Sequence, residues 1–430
     1  MSTHRRSTKH VVAHFMVGNT YPYEIKDWTA DIELASCHAL DGFALNIGKE
    51  DWQLDRVMDC YAAALELRST FKLFLSFDMT VIPAHKPEDV DYLRKYLELL
   101  ARHPNQMLYE GKVLISTFAG DQARFGYSSI NDAWAFVKAE LSKIAAVHLV
   151  PAFFVDPATY PSLSSIDGIF HWNGGWPLHL NIESSPEEIR RPALDSDKHH
   201  LAHLRRKTYM AAVSPWFFTH YGPDSWNKNW IYRGDDWLLV RRWEYLLSQR
   251  NHVDIVQLIS WNDYGESHYV APVRGAQPNS QAWVDGFPHA PWMLLNAYYA
   301  RAFKEGSMPP IEKDRIFMWA RPHPKAAQAS EDEVPRPDGW QLTEDLFWVV
   351  VFATGAATVI MSSGDNAPVR YEVKEGVTKL AGRLAPGQGM WAQILRGGAI
   401  VAACAPSMGE YKFEARPRVY NFNAYVAMSR

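Results

Sequence analysis

The stretch from Ile255 to Ser267, IVQLISWNDYGES, passes from a wholly apolar run into Asn262, Asp263 and Glu266 within a few residues. Two acids this close, beside Trp261 and Tyr264, suit acid–base work on an uncharged substrate. One protonates a leaving oxygen while the other activates water or attacks carbon, which is the minimum chemistry of glycosidic cleavage. Gly265 reads as a permissive backbone turn that lets both acids face one cavity. The same residue types also cap helices and turns, so spacing alone leaves that plainer job open. Asp78 closes a second apolar run, FKLFLSFDM. A charge there is expensive unless a site solvates it or a cation pairs with it.

Further polar and aromatic residues stand where apolar runs stop: His14, Asn19, Asn46, Asp121, Asp156, His171 with Trp172 and Asn173, and Trp216. From these and their neighbours the expected substrate-binding set is His14, Asn46, Asp156, His171, Trp172, Trp216, Tyr221, Trp261, Asn262 and Tyr264. Trp176, Trp226 and Trp230 are further subsite candidates. Plainer alternatives exist for several: Asp156 before Pro157 suits an Asx-type turn, and His171 with Trp172 could merely close the top of a core. Two other patterns lead nowhere. Asp197, His199, His200 and His203 offer histidines at helical spacing but no HExxH or third ligand, so they read as a solvated helix face. Ser214 and Ser362 lie in no GxSxG elbow.

The elements that must carry these residues alternate for three hundred positions. Strand-like runs begin near Val11, Gly42, Lys72, Val113, His148, Asp167, Tyr209 and Ile255, mostly 30 to 46 residues apart, with one step of 19. Amphipathic helices fall between them, clearest at 51–69, 87–101, 131–146 and 235–249. The pattern predicts a (β/α)8 TIM barrel over 11–305, after an N-terminal tail at 1–10, with the site at the C-terminal ends of the strands. A doubly wound open sheet would want a GxGxxG turn after the first strand, and FMVGNTYPYE has none. Beyond Gly306 helical periodicity ends. LFWVVVFA, ATVIMSS, RYEVKEG, MWAQILR, AIVAACA and RVYNFNAYV predict a C-terminal β-sandwich domain over 306–430. The loop KAAQASEDEVPRPDG within it is expected to be exposed and mobile.

Composition narrows the partner. Lys+Arg 44 against Asp+Glu 48 gives a net charge of -4 with no basic run, so nucleic acid is not expected. No apolar stretch approaches a membrane span. The 17 Trp, 20 Tyr and 20 Phe exceed what a core needs, and such rings suit the C–H faces and hydroxyl rims of sugars. Cys37, Cys60 and Cys404 show no CxxC spacing. Two free thiols or one Cys37–Cys60 bridge both fit them. MSTHRRSTKH followed by VVAHFMV does not resemble a signal peptide, and no N-x-[ST] sequon occurs, so a cytoplasmic protein is expected, secretion being the alternative.

Taken together, VVAHFMVGNTYPY, FKLFLSFDM, HWNGGWP, SPWFFTHYG, SWNDYGESHYV and RPHP resemble the fungal α-1,3-glucanases, also called mutanases, over nearly the whole chain. The resemblance implies endo-hydrolysis of α-1,3-glucan with inversion, by a protein without metal or organic cofactor. It assigns Asp263 and Glu266 as the catalytic acids of the WND-x-GE motif and Asp78 as a further needed acid. We expect Asp263 to be the acid and Glu266 the base, although the residues also allow the exchange. Inversion asks for carboxyls about 6.5–9.5 Å apart, which residues three apart reach only if their side chains diverge. A retaining glycosidase on another glucan, or a polysaccharide-binding protein without turnover, would use the same surface. A monomer is expected.

Overall fold

In the computed structural model, which describes residues 8–430, the first part of the chain curls a parallel sheet inside flanking helices. Residues 1–7 of the expected N-terminal tail lie outside the described residues, and its last residue, His10, already opens the first strand. The parallel strands are β1 (His10–Met16), β2 (Gly42–Ile47), β3 (Lys72–Asp78), β4 (Lys112–Phe118), β5 (Val147–Leu149), β6 (Gly168–His171), β7 (Thr208–Val213) and β8 (Ile255–Leu258). Each begins within one residue of its expected start. Their hydrogen-bonded order is β5-β4-β3-β2-β1-β8-β7-β6. The eight-stranded barrel expected from the repeat is therefore seen as a curled sheet whose ladder stops between β5 and β6. The short step noted in the sequence leaves β5 only 3 residues long. Across that seam Asp167 N–H donates to Leu149 O (2.9 Å) and Phe170 N–H to Pro151 O (2.9 Å).

Alternation along the strands sorts their side chains into two cores. Val12, Ala44, Phe74, Leu114, Phe170, Met210 and Ala212 pack together with Ile255 and Ile259 inside the curl, while Val11, Ala13, Phe43, Leu45, Leu73 and Leu75 meet the helices. The inward rows of β1, β2, β3 and β6 continue upward to His14, Asn46, Asp78 and Trp172. The helices lie close to expectation, at Trp52–Glu66, Asp91–Leu100, Ile130–Ser142 and Leu238–Ser248. The third starts before Asn131, because Ser129 Oγ accepts the Asp132 N–H and caps it (3.0 Å). No described helix is long and apolar enough to cross a membrane.

After the helix Ala290–Glu305 come two four-stranded antiparallel sheets. One runs β13 (Gly376–Arg383), β10 (Leu346–Ala353), β9 (Arg315–Ala320), β16 (Tyr425–Met428). The other runs β12 (Val369–Val373), β11 (Ala357–Ser363), β14 (Met390–Arg396), β15 (Ala399–Cys404). Ile316, Met318, Val349 and Val351 share one core with Val359, Met361, Ala392 and Ile394 of the second sheet. Phe317, Trp319, Trp348 and Val350 instead join the core of the first part of the chain. A strand buried on both faces reads as a continuous apolar run, which accounts for LFWVVVFA. The loop expected to be mobile is tied down, with Asn229 Nδ2 donating to Pro335 O (2.7 Å) and Ile231 N–H to Asp338 O (2.9 Å). All three cysteines are free; Cys60 and Cys404 are buried and Cys37 is exposed.

Helix Asp197–Leu204 keeps His199 exposed, as the solvated-face reading expects, but it buries Asp197 and stacks His200 on His171. Asp197 and Arg242 form a fully buried ion pair, with Tyr209 Oη donating to Asp197 (2.7 Å). Burial alone would raise the Asp197 carboxyl; Arg242 and Tyr209 outweigh it and hold it down at about 2. Removing one partner strands the other charge. Asp197→Asn or Arg242→Met should each cost about 3–5 kcal/mol in denaturant unfolding, and the Asp197→Leu/Arg242→Met pair clearly less than the sum. Because the folded-state pKa is depressed, this contribution is present above about pH 4 and should fade as pH falls toward 2.

Candidate active site

From Ile255 to Ala271 every residue is buried except Asp263 and Glu266. The loop after β8 is fixed on both sides. Trp261 N–H donates to His14 O (2.7 Å), and Asn262 clamps the end of β1 by accepting from Met16 N–H (2.7 Å) and donating to Met16 O (3.1 Å). On the other side Phe218 N–H donates to Glu266 O (3.1 Å). Ser267 takes a left-handed backbone (φ 59°), which turns Glu266 and His268 toward each other. Gly265 is not at positive φ; it is small because Tyr221 Oη would stand 2.4 Å from any Cβ there. The expected permissive turn is really a close approach.

Nearest donor atoms of Asp263, Glu266 and His268 all lie within 4.8 Å of one another. The two carboxylates therefore converge rather than diverge, closer than the gap anticipated for inversion by this pair. Glu266 is held by His268 Nε2 (3.1 Å) on one oxygen and Lys228 Nζ (3.3 Å) on the other. Burial would raise its pKa, but the His268 hydrogen bond and the charges of His268 and Lys228 win, and the carboxyl is lowered. Asp263 goes the opposite way. Burial and then the Glu266 charge raise it. Donor spacing would let these three side chains share a cation, yet both oxygens of Glu266 already have partners.

Asp78 faces the same mouth from β3, close enough to feel Glu266 and Lys228. Its Oδ1 accepts from Thr80 N–H (3.0 Å) and Thr80 Oγ1 (2.5 Å), and burial raises its pKa. His14 forms the floor, where burial pushes it down to about 3 and keeps it neutral. Half-buried Trp172 lies edge-on over His14 (4.8 Å) and meets Phe118 (4.9 Å), which meets exposed Phe154 (5.4 Å). These rings make one aromatic strip leading away from the acids. Buried Asn46 is next to Met16 in the sheet, on the inward row.

Other expected site residues are placed elsewhere. Asp156 is exposed and accepts from Ala158 N–H (2.9 Å), the Asx-type turn. His171 points outward from its strand and stacks on His200 (3.6 Å). Trp216 is buried and donates to Phe422 O (2.9 Å); Trp261 packs on Phe43 (5.1 Å). Asn262 is spent on Met16, and Tyr264 Oη donates to Arg274 O (2.8 Å). Tyr221 lies beside both acids, its Oη donating to Pro278 O (2.9 Å), with exposed Trp226 edge-on against it (4.6 Å). Trp176 and Trp230 pack around Phe217. Sequence reasoning missed Lys228, His268, Phe118 and Phe154. His268 follows Glu266 by two and Phe118 ends β4 on an inward row, both readable signals; NKNW gives none for Lys228.

A curled α/β sheet that gathers carboxylates at an aromatic-lined mouth defines a glycoside hydrolase. The chain belongs to glycosyl hydrolase family 71, whose family model matches residues 7–430. It is 37% identical to a glucan endo-1,3-alpha-glucosidase of Schizosaccharomyces pombe over 98% of this chain and 94% of the relative. It is 33% identical to the ascus wall endo-1,3-alpha-glucanase of the same yeast, over 86% and 84% of the two chains. A GH99 endo-alpha-mannosidase from Bacteroides thetaiotaomicron shares the fold alone, with TM-score 0.51 and 12% identity over 69% of this chain and 98% of that one. The cytoplasmic location expected from the first residues is overturned, since a relative of this similarity is named for a wall. The start of a sequence carries no weight against that.

Gly265→Ala should push Tyr221 off the acid loop, costing about 1–3 kcal/mol of stability. Thermal melts read the stability loss, and intrinsic fluorescence of Trp226 should change with it; an unshifted melt contradicts the close approach.

Proposed function

We propose that this chain is an endo-acting hydrolase of α-1,3-glucosidic bonds in fungal wall glucan, with Asp263 as general acid and Glu266 as its ionised partner. The supporting observation is that these two acids alone keep exposure in an otherwise buried loop, at a mouth shared with Asp78. The names of both yeast relatives supply the linkage. A neutral glucan fits a site whose non-acidic surface is aromatic: Trp172, Phe118 and Phe154 on one side, Tyr221 and Trp226 on the other. We read the curled sheet as a closed (β/α)8 barrel over 11–305, and the two C-terminal sheets as a β-sandwich over 306–430. The chain works as a monomer.

Opposite shifts suit opposite tasks. A raised Asp263 keeps its proton for the leaving oxygen, and a lowered Glu266 stays charged beside the developing positive sugar. Inversion, which the family likeness brings, then has Glu266 activate water, with Asp78 on the facing part of the sheet orienting the sugar. Retention is the second reading, favoured by the 4.8 Å limit on the Asp263–Glu266 approach, which is nearer the about 5–5.5 Å of double displacement. In that case Glu266 attacks the anomeric carbon.

Asp263→Asn and Glu266→Gln should each lower hydrolysis of insoluble α-1,3-glucan by about a thousandfold or more, without loss of folding or glucan pull-down. Full activity in either variant refutes the assignment, and soluble products from α-1,4- or β-1,3-glucan instead refute the substrate. The first anomer seen by NMR separates inversion from retention. Rate against pH should be bell-shaped below neutrality: activity falls with acid as Glu266 gains a proton and with alkali as Asp263 loses one.

A further inference from the structure

Ser260 Oγ accepts the Asp263 N–H (2.8 Å) and stands 2.9 Å from His268 Nδ1. A hydroxyl that has accepted one bond still has a proton to give and a lone pair to receive with, so it can pair with His268 Nδ1 in either direction. A charged carboxylate can only accept, so Nε2, 3.1 Å from Glu266 Oε2, carries a proton and donates it to that oxygen. The chain of bonds thus starts at the backbone of one acid and ends on the carboxylate of the other. His268 has no freedom to leave it. The ring is wholly buried, with Trp176 (5.8 Å) and Phe217 (5.8 Å) against it, and its own carbonyl accepts from Ser260 N–H (2.9 Å).

We propose that His268, oriented by Ser260, is a positioning residue that holds Glu266 charged and aimed into the mouth, so that the proton of the pair resides on Asp263. This rests on the roles proposed above for Asp263 and Glu266. The other titratable and charged groups facing Glu266 are Asp78, Lys228, His14, Tyr221 and Tyr232. Of these only Lys228 bonds to Glu266, and it does so from an exposed loop. His268 is the buried donor and therefore the fixed one.

The test compares His268→Leu, which has no donor, with His268→Gln, whose amide reaches the Nε2 position. In His268→Leu the acid limb of kcat/KM against pH should move up by about one pH unit and kcat should fall at least tenfold, with KM within about twofold. His268→Gln should keep the limb near its original place. Ser260→Ala should move it in the same direction by less, and it decides the matter if His268→Leu does not fold. An unmoved acid limb in the folded donor-free variant, or in Ser260→Ala when that is the folded one, overturns the proposal. Glu266→Gln is run alongside. If it keeps full activity, the role of Glu266 itself falls; if it is inactive while the limb stays put, only the role of His268 falls.

Discussion

Two carboxylates brought within 4.8 Å cannot both stay charged cheaply: unit charges at that distance repel by about 3–4 kcal/mol at an effective dielectric near 20. The upper face of the sheet is arranged around that repulsion. Lys228 and His268 both bind Glu266, and neither binds Asp263. The asymmetry assigns the charge to one acid and the proton to the other, which is the division of labour that a glycosidic oxygen needs from its surroundings. A symmetric placement of the same cation between the acids would leave both ionised and neither able to donate.

Such a division survives only if the groups cannot drift. Asp263 and Glu266 ride on a loop whose other residues are buried, and whose backbone is tied to β1 through Trp261 and Asn262 and to Phe218 through Glu266 O. Ser267 pays no attention to its own preference and adopts φ 59°, a conformation costing on the order of 1 kcal/mol for a residue with a Cβ. Strain kept at the junction of Glu266 and His268 is consistent with a geometry that the surroundings impose. The opposite wall, Trp172 with Phe118 and Phe154, is softer: an aromatic strip can accept a sugar face in several registers.

Much of this was legible because strands advertise themselves by apolar runs and because a charge directly after one is conspicuous. That is how Asp78, Asp263 and Glu266 stand out, and the structure places all three at one mouth. Aromatics were less readable. A tryptophan has one polar atom, and a backbone carbonyl satisfies it as well as a sugar hydroxyl does, so Trp216 looks like a platform in sequence and proves to be an anchor on Phe422 O. His171 and Trp172 differ by one position and so face opposite sides of the sheet, a distinction that needs the register of β6. Asn262 has the chemistry of a ligand but spends it on Met16. Lys228 sits in a polar loop with no periodicity, where nothing in local sequence shows which residue points inward.

That last residue also links the two parts of the chain. Lys228 adjoins the strand Asn229–Ile231, which pairs with Phe218–His220 in a two-stranded ribbon. The ribbon is not self-supporting at two strands. Its far side is held by the C-terminal part: Asn229 Nδ2 bonds Pro335 O, Ile231 N–H bonds Asp338 O, Asp338 N–H returns to Asn229 O (3.1 Å), and His220 Nε2 meets Asp332 (3.0 Å). The loop that composition marks as mobile is thus the brace of the ribbon carrying the cation on Glu266. Trp216 to Phe422 and Trp237 to Val349 O (3.0 Å) fasten the same two parts below. On this reading the C-terminal sheets act on the chemistry without touching substrate. They fix where one positive charge stands, and so help decide which of two neighbouring acids keeps its proton.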